Sequence, residues 1–65
     1  MENRIKALRK EKKVSQDELA KICKVTRQTI NAIENNKYDP SLSLAFCIAD
    51  YLGVIVDHCF IYKQS

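Results

Sequence analysis

The sequence predicts an all-α fold of five helices in a single domain. Apolar residues recur at three- and four-residue spacing along most of the 65-residue chain, which is the periodicity of amphipathic helices. Residues that cap helix N-termini precede several of these segments, and the single Gly and single Pro fall between them. A chain of this length forms one domain and lacks room for a second core or a deep catalytic cleft.

The first two helices follow from an apolar pair and a capping motif. The first helix is predicted over about residues 3–12, with Ile5 and Leu8 buried. The S-x-x-E pattern at residues 15–18 is a capping box, so the second helix is expected to begin at about Gln16. The apolar face of the second helix consists of Leu19, Ala20 and Cys23.

A tight turn is predicted between the second helix and the third. Thr26 is a suitable N-cap for the third helix, and Ile30 and Ile33 supply its buried stripe. Only Lys24 and Val25 separate that cap from the preceding helix, and Val25 is expected to pack under the corner. The opposite face of the third helix is polar and consists of Arg27, Gln28, Asn31 and Asn35.

The second half of the chain predicts two more helices and an extended end. Residues 39–41 begin a fourth helix over about residues 42–52, which Gly53 closes. A short fifth helix is expected at 56–59. The tail, residues 60–62, is β-branched and aromatic, and in an extended form it would pair with the first residues in a two-stranded ribbon. The apolar residues of the fourth helix are Leu44, Ala45, Ile48, Ala49 and Leu52.

The polar face of the third helix carries the chemistry that reads DNA bases. Arg pairs bidentately with guanine, and Gln or Asn pairs with adenine, in the major groove. A solvated surface helix is the alternative interpretation, but Lys and Glu are the usual residues of an idle face. Two short helices with a polar N-terminal end on the second are suited to placing one helix in the major groove. The pattern therefore predicts sequence-specific binding of double-stranded DNA.

This stretch resembles the helix-turn-helix of the phage repressor and Cro family, also called the XRE family of bacterial regulators. The matching segments are SQDELA at 15–20, VTRQTINAIE at 25–34, NNKYDPSL at 35–42 and LAFCIADYLGV at 44–54. The resemblance covers nearly the whole chain and implies a helical domain of the phage-repressor type, with the motif at about 16–35. It is nearest to stand-alone regulators of about this length, which lack a ligand-sensing domain.

The chain departs from the family pattern at two places. The family usually has Leu-Gly at Cys23 and Lys24, where Gly accepts the left-handed conformation of the turn. Lys24 would cost about 1 kcal/mol there if the conformation is kept. Ile55 stands where the family places a Ser cap or a Pro.

The resemblance also implies roles for individual residues. Candidate base contacts are Arg27, Gln28 and Asn31. Candidate contacts to the DNA backbone are Gln16, Thr29, Asn35, Lys37, Tyr38, Lys12 and Lys13. For the last two lysines a solvated helix end is an equal alternative. Arg9 and Glu34 are implied to form an ion pair between the first and third helices, which would orient the reading helix without touching DNA.

Charge divides the chain into two halves with different expected partners. Residues 1–37 hold ten basic and five acidic side chains, a net charge of +5, while residues 38–65 hold one basic and three acidic, a net charge of −2. A polyanion should approach the first half. Residues 54–63 are rich in apolar side chains and are predicted to dimerise the protein. Ile55, Ile61 and Tyr62 are the interface candidates, whereas Val54, Val56 and Phe60 are expected in the monomer core.

The three cysteines fit a reducing compartment better than a metal or disulfide site. Cys23, Cys47 and Cys59 have no C-x-x-C spacing, and their number is odd. Cys23 and Cys47 fall on the apolar stripes of their helices and are expected to be buried. No metal or cofactor is expected, although His58 beside Cys59 leaves metal or redox sensing open. With a charged N-terminus and no apolar run near the ~20 residues of a membrane span, the expected location is cytoplasmic.

Three classes of function are weighed against this pattern. The first is a homodimeric transcriptional regulator, preferably a repressor on an inverted-repeat operator. The second is an antitoxin-like protein-interaction module with secondary DNA binding. The third is an enzyme, for which the sequence offers no nucleophile–base arrangement, phosphate-binding loop or evident ligand pocket. The first class is favoured, with double-stranded DNA and a second copy of the chain as partners.

Overall fold

Five helices and a two-stranded ribbon form the described part of the fold, as the sequence predicts. The computed structural model describes residues 1–62. The elements are β1 (Glu2–Asn3), α1 (Ile5–Lys12), α2 (Gln16–Ile22), α3 (Arg27–Glu34), α4 (Leu42–Tyr51), α5 (Val56–Cys59) and β2 (Phe60–Ile61). Within residues 1–62, no helix is long and apolar enough to cross a membrane. Lys63, the last residue of the predicted dimerisation segment, lies outside the described residues.

The ribbon joins the two ends of the described chain and sets the start of α1. β1 and β2 are antiparallel, with Asn3 opposite Phe60. The side-chain oxygen of Asn3 accepts a hydrogen bond from the Ile5 N–H at 3.1 Å. The predicted start of the first helix near Asn3 is therefore wrong by two residues, because Asn3 is a strand residue that precedes the Arg4 N-cap.

Hydroxyl caps fix the starts of three helices. Ser15 begins α2, Thr26 begins α3 and Ser41 begins α4, each in extended backbone. Each hydroxyl accepts the backbone N–H three residues on, at 3.0, 3.1 and 3.2 Å respectively. The start of α2 and the turn to α3 are thus defined by local chemistry that the sequence displays.

Four helices end in the same hydrogen-bonded motif, and only one of them uses glycine. One residue at each of these helix ends has a positive φ: 59° at Lys13, 58° at Lys24, 61° at Asn36 and 73° at Gly53. At the end of α2, the Lys24 N–H donates to the Lys21 carbonyl at 3.2 Å, and the Val25 N–H donates to the Ala20 carbonyl at 3.0 Å. This is the Schellman pattern. The family turn geometry is kept although Lys24 replaces glycine.

The core lies between the helices and is closed by the ribbon. Its buried apolar members are Ile5, Leu8, Leu19, Ala20, Ile30, Ile33, Ala45, Ile48, Ala49, Leu52, Cys59 and Phe60. Val54 and Val56 pack against this core while partly exposed. Cys23 and Cys47 are also only partly buried, so their expected burial is wrong. Both line a groove between α2 and α4 instead of the centre of the core.

Candidate nucleic-acid interface

One face of α3 is fixed in the core while the opposite face is open to solvent. Ile30 and Ile33 are 0% and 1% exposed. Burial of two such side chains stabilises the helix position by roughly 1.5–3 kcal/mol each. Arg27, Gln28 and Asn31 are exposed. The helix therefore presents three polar side chains on a rigid support, which reading DNA requires.

A buried ion pair ties α3 to α1. Arg9 donates from Nε to Glu34 Oε2 at 2.6 Å and from a terminal nitrogen to Glu34 Oε1 at 3.1 Å. The two side chains are only 11% and 4% exposed. Arg9 also donates to the Val14 carbonyl at 3.0 Å. A paired, hydrogen-bonded arrangement of this kind offsets the cost of removing both charges from water and restricts how the two helices can move.

The ion pair continues through α2 to the first residue of α3. Gln16 donates from Nε2 to Glu34 Oε1 at 3.1 Å, and Arg27 donates from Nε to Gln16 Oε1 at 3.3 Å. Asp17 adds an exposed ion-pair contact, with 3.8 Å between Asp17 Oδ1 and Arg27 Nε. The Arg27 side chain thus lies against the N-terminal turn of α2.

The candidate base contacts form one surface. Gln16, Arg27, Gln28 and Asn31 line a common shallow groove. Asn35, one turn further along, donates to the Asn31 carbonyl at 2.9 Å and to its side-chain oxygen at 3.2 Å. The structure therefore brings the three predicted base readers together with Gln16 and connects them to Asn35.

The other candidate backbone contacts lie in separate places. Thr29 and Tyr38 line the same groove as Cys23 and Cys47, and Tyr38 is 54% exposed. Lys37 is exposed in the loop after α3. Lys12 is exposed, but its side chain extends toward the end of α4. Its Nζ would lie 3.3 Å from a Cβ atom added to Gly53. Lys13, exposed at the end of α1, has the left-handed conformation described above.

The titratable groups with altered pKa values lie outside this polar face. Burial raises the pKa of Cys59 to about 11, and burial together with the neighbouring Cys47 thiol raises the pKa of Cys23 to about 12. A hydrogen bond to the Glu18 carboxylate raises the pKa of the Tyr51 hydroxyl. The raised pKa values keep the thiols of Cys23 and Cys59 protonated, and a protonated thiol is a weaker nucleophile than a thiolate. Among residues 1–62, no three His, Cys, Asp or Glu side chains are grouped to hold a metal ion.

Two features of the surface were not anticipated from the sequence. No sequence pattern singles out Asp17, yet it contacts Arg27. Leu42 and Phe46 are 72% and 56% exposed on α4. The sequence signal for this exposed pair was its i, i+4 spacing on a face of the fourth helix other than the one that enters the core. The Asp17 contact depends on how α2 and α3 pack, which no local pattern reports.

Two short helices at a tight turn, with an anchored second helix that exposes Arg, Gln and Asn, define a helix-turn-helix protein of the DNA-binding class. The sequence profile of the helix-turn-helix family matches residues 5–57. The chain therefore belongs to the XRE-type helix-turn-helix family, and it is a transcriptional regulator with a DNA-binding helix-turn-helix.

Relatives agree with this assignment across most of the chain. An uncharacterized HTH-type transcriptional regulator of Methanocaldococcus jannaschii is 51% identical over 65 residues, covering 100% of this chain and 98% of that protein. The immunity repressor protein of Bacillus phage phi105 is 43% identical over 53 residues, covering 82% of this chain and 37% of the phage protein. The archaeal relative shows that such proteins are not confined to bacteria.

Solved structures show the same fold. A chain of the SinR protein–SinI protein complex superposes with a TM-score of 0.75 at 36% identity. The match covers 83% of this chain and 53% of that chain, so this protein spans about half of the solved chain. The family, the relatives and the fold are those of transcription regulators, not of enzymes.

Proposed function

We propose that the protein is a homodimeric repressor that binds an inverted-repeat operator by inserting α3 into the major groove. The observation that carries this proposal is the exposed row of Arg27, Gln28 and Asn31 on a helix whose opposite face is buried. In this proposal residues 1–65 act as one DNA-binding domain, with the motif at 16–35. Its free cysteines suit a reducing cytoplasm.

Base reading is assigned to the N-terminal half of α3. The forked donors of Arg27 suit guanine O6 and N7, and the amides of Gln28 and Asn31 suit adenine. Gln16, Thr29, Asn35, Lys37, Tyr38, Lys12 and Lys13 hold phosphates in this proposal, with Lys12 the least well placed because it extends toward Gly53. Phosphate contacts fix the position on the duplex, and base contacts supply the specificity.

Dimerisation is assigned to the C-terminal residues because their apolar side chains remain uncovered. Ile55 and Tyr62 are 71% and 78% exposed, and Ile61 is partly exposed on β2. One reading helix covers only a few base pairs, so a two-fold arrangement is needed for useful specificity. The two α3 helices would then lie about 34 Å apart and enter successive major grooves.

The repressor role is supported by the phage relative, which is named an immunity repressor. Because the match covers only 37% of that protein, the likeness concerns its matched segment. In this proposal the protein represses by occupying the operator and excluding polymerase, which requires only DNA binding and dimerisation.

Selection from a random duplex pool tests this proposal. We expect an enriched inverted repeat whose half-site centres are about one helical turn apart. An enriched single half-site would contradict the two-fold dimer while leaving base reading intact. If no sequence is enriched, the protein does not read bases and the proposal fails.

The exposed apolar residues of α4 favour a second candidate function, binding of another protein. Leu42 and Phe46 lie outside the predicted dimer segment and remain 72% and 56% exposed. The solved SinR–SinI complex is an assembly of two proteins. The chain would then be an antitoxin-like module with secondary DNA binding. Analytical ultracentrifugation of the purified chain with the selected duplex distinguishes the two candidate functions. A stable homodimer on a palindromic site would show that DNA binding needs no second protein.

A further inference from the structure

Both contacts that Arg27 makes with α2 use the same nitrogen. Its Nε donates to Gln16 Oε1 at 3.3 Å and lies 3.8 Å from Asp17 Oδ1. The two terminal nitrogens of a guanidinium form a pair that suits guanine O6 and N7. The contacts with α2 therefore engage Arg27 at the nitrogen that bidentate base reading does not need.

The orientation of the Gln16 amide is set by a buried carboxylate. Glu34 Oε1 accepts from Gln16 Nε2 at 3.1 Å, and Glu34 itself is held by Arg9. Because a carboxylate only accepts hydrogen bonds, the amide nitrogen of Gln16 must face Glu34, and its oxygen must face Arg27. The reverse orientation would place the amide nitrogen against the guanidinium, where donor would meet donor.

We propose that Asp17 is a specificity-determining residue, which together with Gln16 holds the Arg27 guanidinium at Nε so that its terminal nitrogens point at the base. Asp17 acts as a positioning residue through Arg27. The proposal rests on the proposed DNA-reading function, and it adds a residue that carries the wrong charge for a phosphate contact. A guanidinium held at Nε loses less conformational freedom on binding guanine.

The charge of Asp17 gives the proposal a distinctive signature. A carboxylate beside the DNA-binding face repels phosphates, so it weakens binding to every duplex. Held against Arg27, it also improves discrimination between the operator and other sequences. Asp17→Asn is therefore expected to raise affinity for a scrambled duplex while lowering the ratio of operator to scrambled affinity by roughly two- to fivefold, the range expected for an exposed ion pair.

A measurement on the free protein tests the contact without DNA. The Arg27 Nε–Hε group gives its own signal in nitrogen–proton NMR spectra, and its hydrogen exchange with water slows when Nε is held. We expect Asp17→Asn to shift this signal and speed its exchange, whereas Asp50→Asn, the same charge change on α4, leaves both unchanged. Equal signals in wild type and Asp17→Asn would overturn the proposal.

A double-mutant cycle with DNA tests the effect on specificity. The dissociation constants of wild type, Asp17→Asn, Arg27→Ala and the double variant are measured on the duplex enriched from the random pool and on a scrambled duplex. We expect Asp17→Asn to lower the affinity ratio only when Arg27 is present. The same loss in the Arg27→Ala background would show that Asp17 acts elsewhere, and a higher ratio would show that it competes with DNA for Arg27.

The failures of the two proposals are distinguishable. If wild type binds both duplexes equally while the NMR signal responds to Asp17→Asn, the held conformation exists but base reading is absent. If wild type discriminates but the NMR signal does not respond, base reading stands and the role of Asp17 is wrong.

Discussion

At the scale of single residues, α3 separates support from reading. Ile30, Ile33 and Glu34 face inward, and each has a defined partner or a place in the core. Arg27 and Gln28 face outward, where their donors and acceptors are accessible to a base edge. Because of this division, we expect that the outward side chains can be replaced without a large change in stability.

Replacement of Arg27 by Ala should remove one base contact. We expect a loss of roughly 1–3 kcal/mol on the operator and a much smaller loss on random DNA. The measurement is titration of each duplex by fluorescence anisotropy, with Lys21→Ala as a control that removes an exposed positive charge from α2. Equal losses on both duplexes would show that Arg27 binds phosphate and reads no base.

Cys59 should make the domain less stable at alkaline pH. Burial raises the pKa of its thiol from 9.0 to about 11. Above about pH 9 the unfolded chain loses this proton while the folded chain keeps it, so the free energy of unfolding falls until about pH 11. The loss should reach about 2–3 kcal/mol by denaturant unfolding. Cys59→Ala should show a shallower decline, and an identical slope in that variant would contradict this account.

At the scale of elements, four helices end in the same Schellman motif, although the residue with positive φ differs among them. Lys13, Lys24 and Asn36 adopt the left-handed conformation that Gly53 adopts without steric cost. Three side-chain caps start the helices, and four Schellman ends stop them. The positions of α2 and α3 are thus determined by local hydrogen bonds as well as by core packing.

Replacement of Lys24 by Gly should stabilise the domain. A non-glycine residue at φ 58° carries strain that glycine lacks, although glycine loses more conformational freedom on folding. We expect a net gain of about 0.5–1 kcal/mol in the free energy of unfolding. Lys21→Gly, inside α2, is the matched control and should cost about 1 kcal/mol. Destabilisation by both changes would mean that Lys24 contributes a contact which outweighs its strain.

Local signals predicted the elements, and long-range contacts explain what the sequence missed. The Ser15 and Thr26 caps and the bounds of α5 were predicted correctly, because they depend on neighbours in sequence. The start of α1 was wrong because Asn3 pairs with Phe60 across the ribbon. The contact between Asp17 and Arg27 likewise arises only when two helices pack, so residue type and spacing did not reveal it.

At the scale of the whole molecule, the basic half carries the helix-turn-helix and the acidic half carries the exposed C-terminal apolar residues. Residues 1–37 have a net charge of +5 and residues 38–65 have −2. A duplex is therefore attracted more strongly to residues 1–37, and in the proposed function the exposed apolar residues of the second half bind a second copy. Two apolar pairs compete for that role: Ile55 with Tyr62, and Leu42 with Phe46.

Matched double variants decide which apolar pair forms the dimer. Ile55→Ser with Tyr62→Ser should give a folded monomer with weakened operator affinity, and serine at position 55 supplies the N-cap that α5 lacks. Ile61 is left unchanged because it is part of the ribbon. Leu42→Ser with Phe46→Ser should remain dimeric. Sedimentation velocity gives the answer, and the opposite pattern would move the interface to α4.

The most direct test of sequence-specific reading is a salt titration of operator binding against binding to a scrambled duplex of equal length. Phosphate contacts make both affinities fall as salt rises, whereas base contacts keep the operator curve above the scrambled one. We predict a ratio of at least about 10³ between the two affinities at physiological salt. Two curves that coincide across the salt range would contradict the account, since α3 would then bind DNA by charge alone.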